Sequence, residues 1–338
     1  MKKVKLGVIG LGNIGYEHAF NVKYRVRGAE LAAVCARTRE KTDRMKEELE
    51  VESAYNDYRA LLKHPGLDGV VIVSPSACHC EHIVAALDAG LHVFTEKPIA
   101  LNLREVSRIE EAAARQPEKK VLQLGFMRRF DPSYLDAKEK IEQGLIGEPF
   151  LVKSHSSDPL WTRDFMVRYS PTSGGLFFDM TQHCFDMTRW ILGAEAKRVF
   201  ATGGAYVIDE FKELHDMDNA AALVEYDGGK MGMYHSGRTA VGGYRVETEI
   251  VGTEGVLRVG MVAEKNLLTI HDKHGSRREC IRWYQERFKE ANINELQVFV
   301  DCVRENRPAS VGVLDGRRAI ELCEACNRSV ELKQAVEL

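Results

Sequence analysis

The first apolar run of the chain, Lys2 to Ile9, ends in Gly10-Leu11-Gly12-Asn13-Ile14-Gly15, and no other stretch restricts the fold so tightly. A G-x-G-x-x-G at a strand-to-helix turn permits a sharp bend. It also lets a pyrophosphate approach the helix amino end and lets the helix lie close to the strand. Alone the motif often matches by chance. Here the context agrees: a strand precedes it, an amphipathic helix follows, and a second strand, Glu30 to Cys35, comes about twenty residues on.

The alternation continues. Glu40 to Leu49 and Tyr58 to Lys63 read as helices, Gly69 to Val73 as an apolar β-branched strand and Cys78 to Ala89 as a helix. Leu91 to Thr95 reads as a strand, Leu103 to Arg115 as a helix and Val121 to Leu124 as a strand. Strands separated by helices imply a parallel, doubly wound sheet. Residues 1–125 are thus expected to form a Rossmann dinucleotide-binding domain, with ligands at the carboxyl ends of its strands. Gly10, Gly12, Asn13, Ile14 and Gly15 would meet the pyrophosphate. The second strand runs out into Ala36, Arg37, Thr38 and Arg39 without the carboxylate that usually takes the ribose hydroxyls of NAD. The loop therefore permits NADP without excluding NAD, and Arg37 either contacts the cofactor or is a solvated first-turn residue. After the next strand, Ser74, Pro75 and His79 fall on the nicotinamide side, although His79 could equally pack at a helix start.

Leu91 to Thr95 delivers Glu96-Lys97-Pro98 at a strand's carboxyl end. A proline there cannot prolong the strand, so the Lys97 ammonium is aimed toward a ligand crevice. The competing reading is an ordinary surface lysine in a strand-to-helix loop.

Beyond Gly125 the pattern changes. A helix (Ser133 to Gln143) and a strand (Phe150 to Ser156) lead to a glycine-led helix running from Gly174 to Trp190 and ended by Gly193. On it Asp179 and His183 stand four apart, so their side chains rise from one face. A carboxylate beside an imidazole orients the ring and raises its basicity, as a general base for an alcohol proton needs. A helix-stabilising pair or a satisfied core histidine is the alternative. Strands at about 198–207, 219–226, 230–236, 244–251 and 254–259 follow, joined by tight glycine turns. With two closing helices, residues 126–338 are expected to form an α+β domain with a large antiparallel sheet, for substrate binding and oligomerisation.

Composition narrows the function classes. Forty-seven basic against fifty acidic residues give a net charge of −3 without a basic block, so nucleic acid is not an expected partner. Glycines interrupt the apolar start after Lys2-Lys3, and no segment reads as a membrane span or signal peptide. Eight cysteines scattered through apolar stretches suit reduced thiols and a cytoplasmic protein. Cys323-x-x-Cys326 lies in a helical pattern without a partner pair, so no metal site is expected.

Taken in order, GLGNIG, SPSACH, HVFTEKP, GFMRRFDPSY, GEP, GGLFFDMTQHCFDMTRWILG and VGVLDGRRAIELCEA resemble the Gfo/Idh/MocA oxidoreductases over essentially the whole chain, and most of all their inositol dehydrogenase group. The resemblance implies a homo-oligomeric, often tetrameric, NAD(P)-dependent enzyme acting on a secondary hydroxyl of a cyclic polyol or sugar. It implies a catalytic set of Lys97, Asp179 and His183, with Arg128, His155 and Tyr244 as substrate contacts. A sugar dehydrogenase of the same family, a cofactor-binding regulator and an NAD-dependent glycosidase are the rival expectations. Asp158 and Asn292 depart from the family's pattern.

Overall fold

The computed structural model describes residues 2–261, 264–273 and 275–338. The chain forms two compact units, Met1–Phe130 with Glu290–Arg317, and Asp131–Lys289 with Arg318–Leu338.

The first unit holds a six-stranded sheet of β1 (Val4–Ile9), β2 (Ala29–Cys35), β3 (Ser53–Tyr55), β4 (Gly69–Ile72), β5 (His92–Glu96) and β6 (Leu122–Gly125), in the order β3-β2-β1-β4-β5-β6. Every neighbouring pair is parallel. The chain leaves β1 on one side and returns to β4 on the other, so the order reverses beside β1, which in such sheets opens the ligand crevice. Val70, Val71 and Ile72 are fully buried, as expected of strands covered on both faces. β3 is only three residues long and carries no periodic signal, which is why the sequence did not announce it.

Against the expected division at residue 125/126, Glu290–Arg317 returns to this unit. The reason lies in the Lys289–Glu305 helix, whose Leu296, Phe299 and Val300 recur at helical spacing and join the core that includes Leu6, Val8 and Phe94. The Phe94 and Phe299 rings meet edge to face at 6.0 Å.

The second unit holds β7 (Pro149–Pro159), β8 (Ala196–Gly204), β9 (Asn219–Tyr226), β10 (Met231–Ala240), β11 (Arg245–Gly252), β12 (Val256–Val259) and, at the far edge, Val336–Glu337 beside β8. Its sheet is mixed: β7 pairs parallel with β10, and the other pairs are antiparallel. Alternation sets the two faces. Ala220, Ala222, Val224 and Tyr226 point inward, and the Phe185 ring, from the Gln182–Leu192 helix, meets Tyr234 at 4.9 Å. A separate hairpin, Glu264–Asp272 with Gly275–Cys280, completes the unit. Among the described residues, no helix is long and apolar enough to cross a membrane.

Candidate active site

In the first unit, the three motif glycines do different jobs. Gly10 has φ +99°, and a Cβ there would run into the Val73 carbonyl; at Gly15 a Cβ would collide with the Gly10 carbonyl oxygen. At Gly12 nothing lies within 4 Å. Two glycines thus satisfy the fold, and the third leaves open space at the amino end of the Asn13–Tyr24 helix, where no side chain caps the backbone. Exposed Asn13 and half-buried Ile14 begin that helix. This cradle fits a dinucleotide pyrophosphate. Ala36 is buried and its N–H donates to the Tyr55 carbonyl at 3.2 Å, whereas Arg37 and Thr38 after it are exposed.

The turns after β4 and β5 are tied together. His79 is buried, with Nδ1 2.6 Å from the Pro98 oxygen and Nε2 2.8 Å from the Ser74 oxygen. Burial is the largest influence on the ring and pulls its pKa below the usual value. His79 thus ties the two turns together. Ser74 is half-buried, with its Oγ 2.9 Å from His82 Nδ1, and Pro75 is exposed. Half-buried Lys97 donates its backbone N–H to Glu96 Oε2 at 3.2 Å. Arg128, in the turn Met127–Phe130 after β6, is fully buried.

In the second unit, Asp179 and His183 do not share a plain α-helix. Phe177–Thr181 winds as a π-helix before the α-helix Gln182–Leu192 begins, and such wide turns are frequent at functional sites. Both residues are 8% exposed, buried like the rest of the run from Leu176 to Thr188 but less completely than most of it. Thr181 Oγ1 donates to Ser236 Oγ at 2.9 Å and anchors the segment on β10.

A buried ion chain stands behind Asp179. Arg238 is fully buried: Nη1 donates to Asp216 at 2.7 Å, Nη2 lies 3.6 Å from Asp179 Oδ2, and the guanidinium sits 4.6 Å over the Phe211 ring. Asp216 also accepts from Ser170 Oγ at 2.6 Å and from the Leu176 N–H at 3.0 Å, which fixes the start of the π-turn. Burial alone would lower the Arg238 pKa, but Asp216 and Asp179, with Asp158 beyond, hold it raised. Removing one partner of such a buried pair typically costs about 3–5 kcal/mol. Sequence reasoning missed Arg238 and Asp216. The available signal was the phase of β10, where Gly232, Tyr234, Ser236 and Arg238 all fall on the buried side.

Ser154 and Ser156 point to the covered face of β7, whereas His155 alternates to the other face, where its ring meets His235 with Nδ1 atoms 2.9 Å apart. Burial, with His235 and Arg245 nearby, pushes its pKa down to about 4. Tyr244 packs edge-on against Trp283 and Phe288 at 5.8 and 6.3 Å.

Comparison with known proteins gives one consistent picture. Residues 4–126 match the GFO/IDH/MocA oxidoreductase family model, described as an NAD-binding Rossmann fold, and residues 134–258 match the GFO/IDH/MocA C-terminal domain. The chain is similar to myo-inositol 2-dehydrogenase of Thermotoga maritima, at 36% identity over 99% of this chain and 98% of that protein. It is also similar to scyllo-inositol 2-dehydrogenase (NAD(+)) of Bacillus subtilis, at 34% identity over 99% and 96%. Among solved structures, scyllo-inositol dehydrogenase from Lactobacillus casei, with bound NAD(H) and scyllo-inositol, superposes with a TM-score of 0.95 at 36% identity, covering 99% of each chain.

Proposed function

The chain belongs to the Gfo/Idh/MocA family as an NAD-dependent dehydrogenase of its inositol dehydrogenase group, and from that premise we propose that it oxidises a secondary ring hydroxyl of an inositol. In this reading Lys97 donates a hydrogen bond to the substrate oxygen that becomes the carbonyl and stabilises its developing charge. His183 takes the hydroxyl proton, and Asp179, held by Arg238, keeps the imidazole oriented. The chemistry supplied by a bound nicotinamide is acceptance of the hydride from the same carbon. The motif glycines, Asn13 and Ile14 hold the pyrophosphate, and Arg37 faces the adenosine end, where it favours acceptance of NADP beside NAD.

The observation that carries the proposal is that Asp179 and His183 stand four residues apart on a buried segment tied to Arg238, in a chain that aligns over 99% of its length with an inositol dehydrogenase. The proposal includes a cytoplasmic homo-oligomer, a tetramer by family resemblance. It is supported by the uncovered sheet face, on which Phe200, Leu223 and Met233 are 45–49% exposed. The test is a screen of myo-, scyllo- and chiro-inositols and of D- and L-aldoses, with NAD and NADP separately, following the absorbance of reduced cofactor. Turnover of an inositol supports the reading; turnover of aldoses alone replaces the substrate, and no reduction with any of them removes the dehydrogenase assignment.

A further inference from the structure

Beside the Lys97 turn, the first unit encloses a knot of ionisable groups that the proposed chemistry does not use. His18 Nε2 lies 2.7 Å from Glu96 Oε1, and the other Glu96 oxygen accepts the Lys97 backbone N–H. Glu295, from the Lys289–Glu305 helix, is 0% exposed, and among the described residues neither of its carboxylate oxygens has a hydrogen-bond partner. Yet one of them lies within 4.8 Å of both a Glu96 oxygen and a His18 ring nitrogen. Phe94 packs against His18 with ring centroids 5.4 Å apart, and Gln123 Nε2 donates to the Glu295 backbone oxygen at 2.7 Å. The backbone on which the acid sits is therefore fixed to β6.

An ionised carboxylate with no donor, buried beside a second anion, is strongly disfavoured, and the strain is relieved when one of the two carries a proton. We propose that Glu295 is a neutral acid and a positioning residue: it packs beside Glu96 without adding a second charge there, and so leaves Glu96 held by His18 on one oxygen and by the Lys97 backbone N–H on the other. The charged and titratable groups around it are His18 and Glu17 from the first helix, and Glu96 followed by Lys97 at the end of β5. Burial, reinforced by Glu96 and Glu17, pushes the Glu295 carboxyl well above the carboxylate range. For Glu96, burial pushes upward, but the His18 hydrogen bond and the His18 and Lys97 charges outweigh it and hold the carboxyl low. The proton of the pair therefore stays on Glu295. This inference rests on the reading of Lys97 as the group that meets the substrate oxygen.

The test compares Glu295→Gln, which keeps the shape and an amide donor, with Glu295→Ala. Expected are turnover within about threefold of wild type and an unchanged pH profile in Glu295→Gln. In Glu295→Ala, kcat falls about ten- to a hundredfold with little change in KM for NAD, because the turn is loosened without touching the cofactor cradle. Infrared difference spectra of wild type against Glu295→Gln, taken about two pH units above the free-carboxyl value, should show a protonated-carboxyl stretch. If Glu295→Ala does not fold, the Gln variant and the infrared band decide alone. Loss of activity in Glu295→Gln, absence of the band, or a stoichiometric divalent metal in the purified enzyme overturns the inference. A fully active Lys97→Met variant would instead sink the functional reading and leave the buried acid standing.

Discussion

Lys97 is the residue on which the functional reading is most exposed to test. Replacing it with methionine keeps the stem and removes the charge. Turnover should then fall by about two to four powers of ten, the scale of one lost oxyanion-type donor, with NAD binding retained. Steady-state rates and cofactor titration check both halves, and near-normal turnover would reassign the residue. His183 makes a different claim. As the base for oxidation it works only unprotonated, so the wild-type rate should climb with pH as the ring loses its proton. The climbing limb should vanish in His183→Ala. A pH–rate profile with deuterated substrate, so that hydride transfer limits the rate, reads this directly. A limb that survives in the variant would move the base elsewhere, with Lys97 the next candidate. Both residues were proposed from the sequence, Lys97 from its place after an apolar strand and His183 from its spacing to Asp179. His18, Arg238 and Glu295 were not read, although each sits at the buried phase of its own element. A charged residue in phase with the core is the pattern that would have found them.

Elements were legible where one face is buried and the other is not. β9 and β11 alternate strictly, and the helix Leu103–Ala114 begins at Asn102, whose side chain caps the Glu105 N–H. The helix Arg163–Ser173 was not read, because Pro171 sits inside it and its face is mostly polar. The Glu264–Asp272 hairpin likewise lacked a signal, since its second strand is exposed nearly throughout. Between β8 and β9 the chain is held by one carboxylate: buried Asp218 accepts the backbone N–H groups of Tyr206, Val207 and Ile208 at 2.7–3.0 Å. Burial pushes its pKa upward, but those N–H groups and the Asn219 amide outweigh it and hold the carboxyl below its usual 3.8. A depressed folded value stabilises the protein above the unfolded pKa and is lost as pH falls through the folded one. Asp218→Asn should therefore cost about 2–3 kcal/mol at neutral pH, from charge-assisted bonds weakened together. The gap to wild type should narrow in acid. Urea unfolding at the two pH values measures it, and a gap independent of pH would mean that charge plays no part.

For the whole molecule, the testable surface is the open side of the second sheet. Phe200, Leu223, Met231 and Met233 stand exposed there together on neighbouring strands, and clustered apolar side chains of this kind mark interaction surfaces. Leu223→Asp with Met233→Asp should lower the mass seen by light scattering to that of one chain, while the far-ultraviolet spectrum is unchanged. An unaltered mass would place the assembly surface elsewhere. The doubly wound sheet was legible from the first half of the chain, since alternating strands and helices admit few arrangements. The return of Glu290–Arg317 to that unit was not, because helical periodicity states that a face is apolar and not which core it joins.

That return has a consequence for how the protein comes into being. A chain leaving the ribosome presents β1 to β6 long before Leu296, Phe299 and Val300 exist to cover Phe94. The unit begun first during translation is closed only after the whole of Asp131–Lys289 has been synthesised. Anyone grafting the nucleotide-binding unit onto another protein must carry Glu290–Arg317 with it, since a fragment ending at Phe130 bares part of its own core.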